Sequence, residues 1–239
     1  MWNRSLDLSA ARSAFLEQGY LVLDHALEGD LPRRVVEAIE AADTCFKLIA
    51  RNGVHPRTIA FDQPLSPLKQ RVLLDQLALA REAGLFTYLY ELWEIPEPGE
   101  RPCAAASLAA FLESQANLDW IAKVSGCPVE VCQVAGITRY RQGHYLGAHS
   151  DKLSKFTKQR KVAMILFFSA AWNAGQGGEL FVLDENDEVL TRVEPTLNRA
   201  VLMNVDRGFK HYVPTVQSVR SVRLALPCFY AVTPERTDE

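Results

Sequence analysis

The second half of the chain has the residue pattern of many short strands, and this feature constrains the fold more than any other. β-Branched, aromatic and other apolar residues are concentrated in six segments with turn residues between them. These segments are 129–140, 161–168, 179–183, 189–193, 199–205 and 223–232. Several short strands at such a spacing predict a β-sandwich or a β-barrel.

The first half of the chain has mainly helical periodicity. Apolar residues recur at helical spacing in 9–18, in 31–46, from Ser66 toward Leu92 and Trp93, and in 103–124, whereas 20–23 is typical of a strand. The Gly/Pro breakers at 95–102 and 126–128 are too short to be linkers. We therefore predict a single α+β domain over residues 1–239. In it a helical layer with one early strand, residues 1–127, supports a β-barrel core, residues 128–235.

Charge and cysteine content restrict the cellular setting. The 26 Lys and Arg residues against 29 Asp and Glu residues give a formal charge of −3, and nucleic-acid binding needs a basic surface. The five cysteines are an odd number without a C-x-x-C pair, which favours a reducing compartment. There is no signal-peptide pattern and no apolar run of about 18 residues. We predict a cytoplasmic protein without nucleic-acid or membrane partners.

One tripeptide in the strand-rich half has the character of a metal site. His149 and Asp151 are two residues apart, and in an extended strand such residues point to the same face. A third ligand must come from a distant strand, and His211, just before the last strand, is the natural candidate. Two imidazoles and one carboxylate form the facial triad of non-haem Fe(II), which leaves positions free for a co-substrate and O₂. The other histidines, His25, His55 and His144, lie in no ligand-like pattern.

The motifs around these residues occur in the order of a known family. Tyr140-Arg-Gln-Gly143 precedes the His-x-Asp, Gly177-Gly178-Glu179-Leu180 opens a later strand, and His211-Tyr-Val213 follows 62 residues after His149. On these motifs residues 134–232 resemble the double-stranded β-helix, a jelly-roll or cupin-like barrel, of the Fe(II)- and 2-oxoglutarate-dependent dioxygenases. The resemblance is strongest to the prolyl-4-hydroxylase-like branch. The first 125 or so residues match only loosely, as supporting helices.

The resemblance implies an enzyme with Fe(II) held by His149, Asp151 and His211, with 2-oxoglutarate and O₂ as co-substrates and ascorbate as a stimulating reductant. It also implies an arginine on the last strand that binds the C5 carboxylate of 2-oxoglutarate.

Two residues are candidates for that arginine. Arg223 matches the family's Arg-x-Ser-Leu pattern, with Ala225 in place of the usual hydroxyl residue, whereas Arg220 lies nearer the usual distance from the histidine. We choose Arg223. The family often adds a tyrosine hydroxyl where this chain has Phe167, and Tyr140 or Tyr145 is expected to compensate. The predicted cofactor-binding residues are therefore Arg223 and Tyr140.

The predicted reaction is hydroxylation of an unactivated C–H bond with release of succinate and CO₂. The expected substrate is a small molecule such as an amino acid or natural-product intermediate, because the chain is compact. The alternatives are a protein or peptide prolyl hydroxylase and a barrel that binds metal or 2-oxoglutarate without turnover. Residues 152–161 hold five positive charges, and we expect a solvated loop there that closes over the substrate. The oligomeric state is left open.

Overall fold

The computed structural model describes residues 1–54, 58–96, 103–152, 159–170, 172–173 and 175–232. Within these ranges the helices are α1 (Leu8–Gln18), α2 (Leu31–Ala41), α3 (Pro67–Glu82), α4 (Ala104–Glu113) and α5 (Gln115–Ser125). The strands are β1 (Tyr20–Leu23), β2 (Lys47–Arg51), β3 (Ile59–Phe61), β4 (Tyr88–Trp93), β5 (Val131–Val134), β6 (Ile137–Tyr140), β7 (Tyr145–Ser150), β8 (Gln159–Phe167), β9 (Leu180–Leu183), β10 (Val189–Val193), β11 (Arg199–Asn204), β12 (Lys210–Val213) and β13 (Arg223–Val232).

The strands form one antiparallel sheet that curls into a nearly closed barrel. Its order is β1-β11-β8-β13-β6-β4-β7-β12-β9-β10, while β2 and β3 extend from β4, and β5 pairs with the far end of β13. This architecture confirms the predicted double-stranded β-helix with supporting helices. The sequence-based bounds of β1, β10 and β13 are reproduced residue for residue.

The first half of the chain contributes more strand than predicted. The helix expected to run from Ser66 toward Trp93 ends at Glu82, and Tyr88–Trp93 is strand β4. This strand lies in the middle of the barrel, between β6 and β7. Its period of two was hard to detect because both faces carry apolar residues: Leu89 packs into a core, whereas Tyr88 faces the barrel cavity. The prediction of mainly helical support with one early strand in residues 1–127 therefore missed β2, β3 and β4.

Three other element bounds differ for local reasons. The helix predicted over 31–46 ends at Ala41 and is followed by a 3₁₀ turn. The helix predicted over 103–124 is two helices, because the Ser114 hydroxyl caps the second one by accepting from the amide of Asn117. The strand predicted over 129–140 is broken at Gly136, whose φ is 105° and where a Cβ would lie 2.5 Å from the carbonyl oxygen of Trp93.

The helices pack on the outer face of the barrel and leave its interior to the site. The largest cluster of buried side chains joins the helices to the outward-facing residues of the sheet, among them Phe15, Leu108, Ile121 and Leu166. Burying this apolar surface is the main force that fixes the helices on the barrel. A second cluster, which includes Tyr140 and Phe167, lies inside the barrel.

One buried amide connects the helical layer to the last strand. The side chain of Asn117 accepts from the indole Nε1 of Trp2 at 2.7 Å and donates to the carbonyl oxygen of Leu112 at 2.6 Å and to the hydroxyl of Tyr230 at 2.8 Å. All of its polar atoms are thereby satisfied, as a buried amide requires.

No helix in the described ranges is long and apolar enough to cross a membrane. Both predicted halves contribute strands to the same sheet, and the assignment of residues 1–239 to a single domain stays a prediction. His55 and most of the predicted loop over 152–161, namely 153–158, lie outside the described residues.

Candidate metal centre and its cavity

The structure brings the three predicted metal ligands together. His149 lies near the end of β7 and Asp151 directly follows that strand, while His211 on β12 pairs with His149 across the sheet. The Asp151 carboxylate oxygens lie 3.7 Å from Nε2 of His149 and 3.7 Å from Nε2 of His211. One ligand atom from each residue falls within 4.8 Å of the others. His149 and Asp151 alone supply only two ligands. The antiparallel pairing of β12 with β7 brings His211 to them as the third.

The backbone before His149 orients its ring. Nδ1 of His149 lies 3.1 Å from the carbonyl oxygen of Gly147, which assigns the proton to Nδ1 and leaves Nε2 free to bind a metal. Gly147 is held against the neighbouring strand by an amide that donates to the carbonyl oxygen of Thr87 at 2.9 Å. A Cβ at position 147 would lie only 2.7 Å from that oxygen. The close approach requires glycine here.

Burial sets the protonation states of the ligands. The pKa of His211 is well below its ordinary value, chiefly because burial penalises the imidazolium, with His149 and Arg223 adding positive potential. Burial also raises the pKa of Asp151, and His149 and Arg160 oppose that shift. His211 is therefore neutral at physiological pH, as a metal ligand must be, and a bound cation would favour the ionised form of Asp151. Two imidazoles and one carboxylate fit the facial triad that binds Fe(II).

The metal cluster opens into a cavity of about 650 Å³ with an aromatic wall. The wall begins at Phe86, whose ring centroid is 4.8 Å from that of His149, and continues through Tyr88 (5.6 Å) and Tyr90 (5.2 Å) to Tyr140 (5.1 Å). Most of this wall comes from β4 and the loop before it. Sequence reasoning missed these residues, although the spacing of two between Tyr88 and Tyr90 was a usable strand signal.

Arg223 lines the cavity, and no described carboxylate forms an ion pair with it. It is 2% exposed and sits opposite Tyr140 in the β6–β13 pairing. Its guanidinium carbon lies 4.6 Å from the ring centre of Tyr140 and 5.2 Å from that of Phe167, and its Nε has no hydrogen-bond partner among the described residues. Burial lowers its pKa. Arg220, the other candidate, is exposed and is not among the residues that line the cavity.

The structure also separates the two tyrosine candidates. Tyr140 lines the cavity, and burial raises its pKa to about 12, so its hydroxyl stays protonated and can donate. Tyr145 packs with Leu77 in a separate core cluster, where its hydroxyl donates to Oγ1 of Thr87 at 3.0 Å. Phe167 is fully buried and offers no hydroxyl. Of the two tyrosines, Tyr140 is the one at the cavity.

Comparisons with known proteins place this site in a family context. Residues 135–231 match the model of the 2OG-Fe(II) oxygenase superfamily. The chain is 27% identical over 112 residues to the mouse protein prolyl 3-hydroxylase OGFOD1, a match that covers 45% of this chain and 20% of the relative. The chain thus spans about a fifth of the length of that curated relative.

Two solved structures show the same fold over most of the chain. A prolyl-4-hydroxylase from Pseudomonas putida superposes with a TM-score of 0.62 at 17% identity, covering 94% of this chain and 98% of that one. A prolyl hydroxylase from Trichoplax adhaerens, solved with a hypoxia-inducible factor oxygen-degradation-domain peptide, gives 0.63 at 15% identity, covering 94% and 88%.

The fold is that of a double-stranded β-helix, and its cavity contains a candidate iron site of two histidines and one aspartate. More particularly, residues 135–231 are similar to the 2OG-Fe(II) oxygenase superfamily, and the fold over most of the chain is that of the two prolyl hydroxylases. The predicted resemblance is confirmed. The family implies Fe(II), 2-oxoglutarate and O₂, and the donor set of the metal cluster fits that ion.

One prediction is overturned by the comparisons. A small-molecule substrate was expected, but the three similar proteins named above are prolyl hydroxylases, and one of them was solved with a bound peptide. The compactness of the chain, on which that expectation depended, does not distinguish the two substrate classes. The cytoplasmic location and the absence of nucleic-acid and membrane partners stay predictions.

Proposed function

We propose that this chain is an Fe(II)- and 2-oxoglutarate-dependent hydroxylase that acts on a proline residue of a peptide or protein. The observation that carries the proposal is the pairing of two features in one cavity. The cluster of His149, Asp151 and His211 shares its cavity with the buried Arg223, whose Nε has no hydrogen-bond partner in the described part of the chain. A metal triad and an anion-binding arginine together suit a co-substrate that has both a chelating end and a distant carboxylate.

Each residue has a role that follows from its position. His149, Asp151 and His211 would hold the iron, and Arg223 would bind the C5 carboxylate of 2-oxoglutarate with its planar fork. The Tyr140 hydroxyl, next to Arg223, would donate to the same carboxylate in place of the hydroxyl that Phe167 lacks. When bound, iron and 2-oxoglutarate supply the oxidation of a C–H bond by O₂, in which one oxygen atom enters the product hydroxyl and the other enters succinate as CO₂ leaves.

The remaining walls exclude water and position the substrate. Leu146, Leu180 and Val213 are apolar residues of the cavity lining, and a low-dielectric surrounding strengthens the binding of charged groups. The rings of Tyr88 and Tyr90 offer flat apolar surfaces at the side of His149 that Phe86 occupies. Such surfaces suit the saturated ring of proline, and the names of the similar proteins support that substrate class.

The test is turnover of proline-containing peptides by the full chain with Fe(II), ascorbate and 2-oxoglutarate. We expect succinate to form and the proline to gain the mass of one oxygen atom, as resolved by peptide fragmentation. His149→Ala and Asp151→Ala should abolish both signals. Succinate without a modified proline would contradict the proline assignment. No succinate, with or without peptide, would contradict the enzyme and favour a non-catalytic metal-binding barrel.

A further inference from the structure

Three arginines in the cavity have unsatisfied polar atoms. Among the described residues, the buried side-chain nitrogen and oxygen atoms without a hydrogen-bond partner are Nε of Arg51, Arg160 and Arg223. All three residues line the same cavity. Buried polar groups are normally paired, so unpaired groups that converge on one space indicate a ligand. Arg223 is accounted for by 2-oxoglutarate, whereas Arg51 and Arg160 are not.

Arg51 approaches the metal cluster from the side of His149. It is the last residue of β2, opposite Tyr88, and its guanidinium carbon lies 5.2 Å from the ring centre of Phe86. Phe86 in turn packs against His149. Within the described ranges no carboxylate lies within 4.0 Å of the Arg51 guanidinium nitrogens. Aromatic stacking holds this cation in place but does not neutralise it.

Arg160 approaches the cluster from the side of Asp151. Its guanidinium carbon lies 3.5 Å from the ring centre of Phe229, and its Nη1 lies 3.8 Å from Oδ1 of Asp151, which is too long for a hydrogen bond. That carboxylate is also assigned to the metal. Residues 152–161, which connect Asp151 to Arg160 in the sequence, contain five Lys and Arg and no Asp or Glu. Nothing in that stretch can balance the charge of Arg160.

The charge of the cavity is therefore unbalanced. Among the described residues, its lining holds three guanidinium groups and one carboxylate, that of Asp151. A ferrous ion and 2-oxoglutarate carry equal and opposite charges, so the positive excess persists when both are bound. The excess is located at Arg51, on the side of His149, and at Arg160, on the side of Asp151.

We infer that Arg51 and Arg160 bind a carboxylate of the substrate close to the reacting carbon, so that the target is a proline with a carboxylate next to it. The inference rests on the proposed prolyl hydroxylation. The carboxylate can come from an Asp or Glu beside the proline or from the free C-terminus of a peptide that ends just after it. Arginine pairs suit either source, because the planar fork binds carboxylates in a bidentate manner.

The first test is direct binding to the full chain loaded with Mn(II) and 2-oxoglutarate, which separates affinity from turnover. The probes are three fluorescently labelled peptides. The neutral peptide is Gln-Pro-Gln with an amidated end. The two carboxylate peptides are Glu-Pro-Glu with an amidated end and a peptide without Asp or Glu whose free C-terminal carboxylate comes directly after the proline. We expect at least one carboxylate peptide to bind roughly tenfold or more tightly than the neutral one. This advantage should shrink as KCl is raised, since salt screens the attraction. Which peptide has the advantage identifies the source of the carboxylate.

Variants then assign the advantage to the two arginines. Arg51→Gln and Arg160→Gln should each bring the carboxylate peptides close to the affinity of the neutral one, whereas Arg51→Lys should keep part of the difference. The matched control is Arg33→Gln, which removes the same charge from the exposed face of α2 and should leave the advantage unchanged. Thermal unfolding of each variant checks that it is folded. If Arg160→Gln does not fold, Arg51→Gln alone still tests the inference. Equal binding of all three peptides, or an advantage that survives both Gln variants, would overturn the inference.

Turnover by the iron-loaded protein separates the two proposals. If the neutral peptide is hydroxylated as efficiently as the carboxylate peptides, the inference of a substrate carboxylate is wrong and prolyl hydroxylation stands. If a carboxylate peptide binds through Arg51 and Arg160 but no proline is oxidised, the anion site stands and the proposed reaction is wrong.

Discussion

Replacing Arg223 by methionine is expected to stabilise the ligand-free protein and to abolish its binding of 2-oxoglutarate. Arg223 is 2% exposed and has no partner for Nε among the described residues. The rings of Tyr140 and Phe167 stabilise it through cation–π contact by about 1–2 kcal/mol. Replacing buried charged groups by apolar residues of similar volume is often neutral or stabilising by about 1–4 kcal/mol. A net gain of about 2 kcal/mol therefore follows for Arg223→Met without ligand.

The same substitution removes the proposed anchor for the C5 carboxylate. In the unsubstituted protein with Mn(II), 2-oxoglutarate at a hundredfold excess over its Kd adds about 2.7 kcal/mol of stability. For a chain of this length 1 kcal/mol corresponds to about 2–4 °C in Tm. The unsubstituted protein should gain about 5–10 °C on adding 2-oxoglutarate, whereas Arg223→Met should start about 4–8 °C higher and gain almost nothing.

Differential scanning fluorimetry with and without 2-oxoglutarate measures both effects. Arg220→Met is the matched control, because that side chain is exposed; it should leave both the starting Tm and the ligand-induced shift unchanged. The reasoning is refuted if Arg223→Met unfolds at a lower temperature than the unsubstituted protein without ligand, which would mean that the buried charge is already satisfied. Loss of the 2-oxoglutarate shift in Arg220→Met alone would reassign the anchor to that residue.

Three further predictions follow from the described contacts. Because burial raises the pKa of Asp151, the folded metal-free protein holds this proton more tightly than the unfolded chain. The bound proton on Asp151 stabilises the metal-free fold, and this stabilisation is lost as the pH rises through the raised pKa. The Mn(II) affinity measured by calorimetry should fall as the pH drops through the same pKa, because the metal needs the ionised carboxylate. An Mn(II) affinity that does not change with pH would contradict the assignment. Asn117→Leu strands the buried partners of that amide and should cost about 2–4 kcal/mol in urea unfolding; a cost below about 1 kcal/mol would mean that water replaces them. Gly147→Ala should weaken Mn(II) binding by about tenfold by displacing the carbonyl that orients His149, and the exposed neighbour change Ala148→Ser should not.

The parts of the site that were predictable from sequence are those where spacing and chemistry coincide. His149 and Asp151 share a face because strands repeat every two residues, and His211 follows in a motif at a characteristic distance. The choice between Arg223 and Arg220 was open in the sequence, since it depends on which of the two lies on the strand face turned inward. Only the β6–β13 pairing shows that Arg223 is the inward residue.

The cavity wall was not predictable by the same reasoning. Tyr88 and Tyr90 lie far from the motifs in sequence, in a segment that follows a long helix, and the apolar residues on both faces of β4 hid its alternation. Arg51 has no motif around it at all. Its importance follows from the pairing of β2 with β4, which is a long-range feature of the fold.

The position of β4 has a consequence for how the barrel assembles. Strands β6 and β7 are consecutive in the chain, but in the sheet β4 lies between them. The residues of β4 come some forty positions earlier in the sequence. A fragment that contains only residues 135–231 would leave the facing edges of β6 and β7 without their neighbour, and bare strand edges invite aggregation. The two halves of the polypeptide must therefore acquire their structure cooperatively, and truncation from the amino end should yield insoluble material rather than a smaller working enzyme.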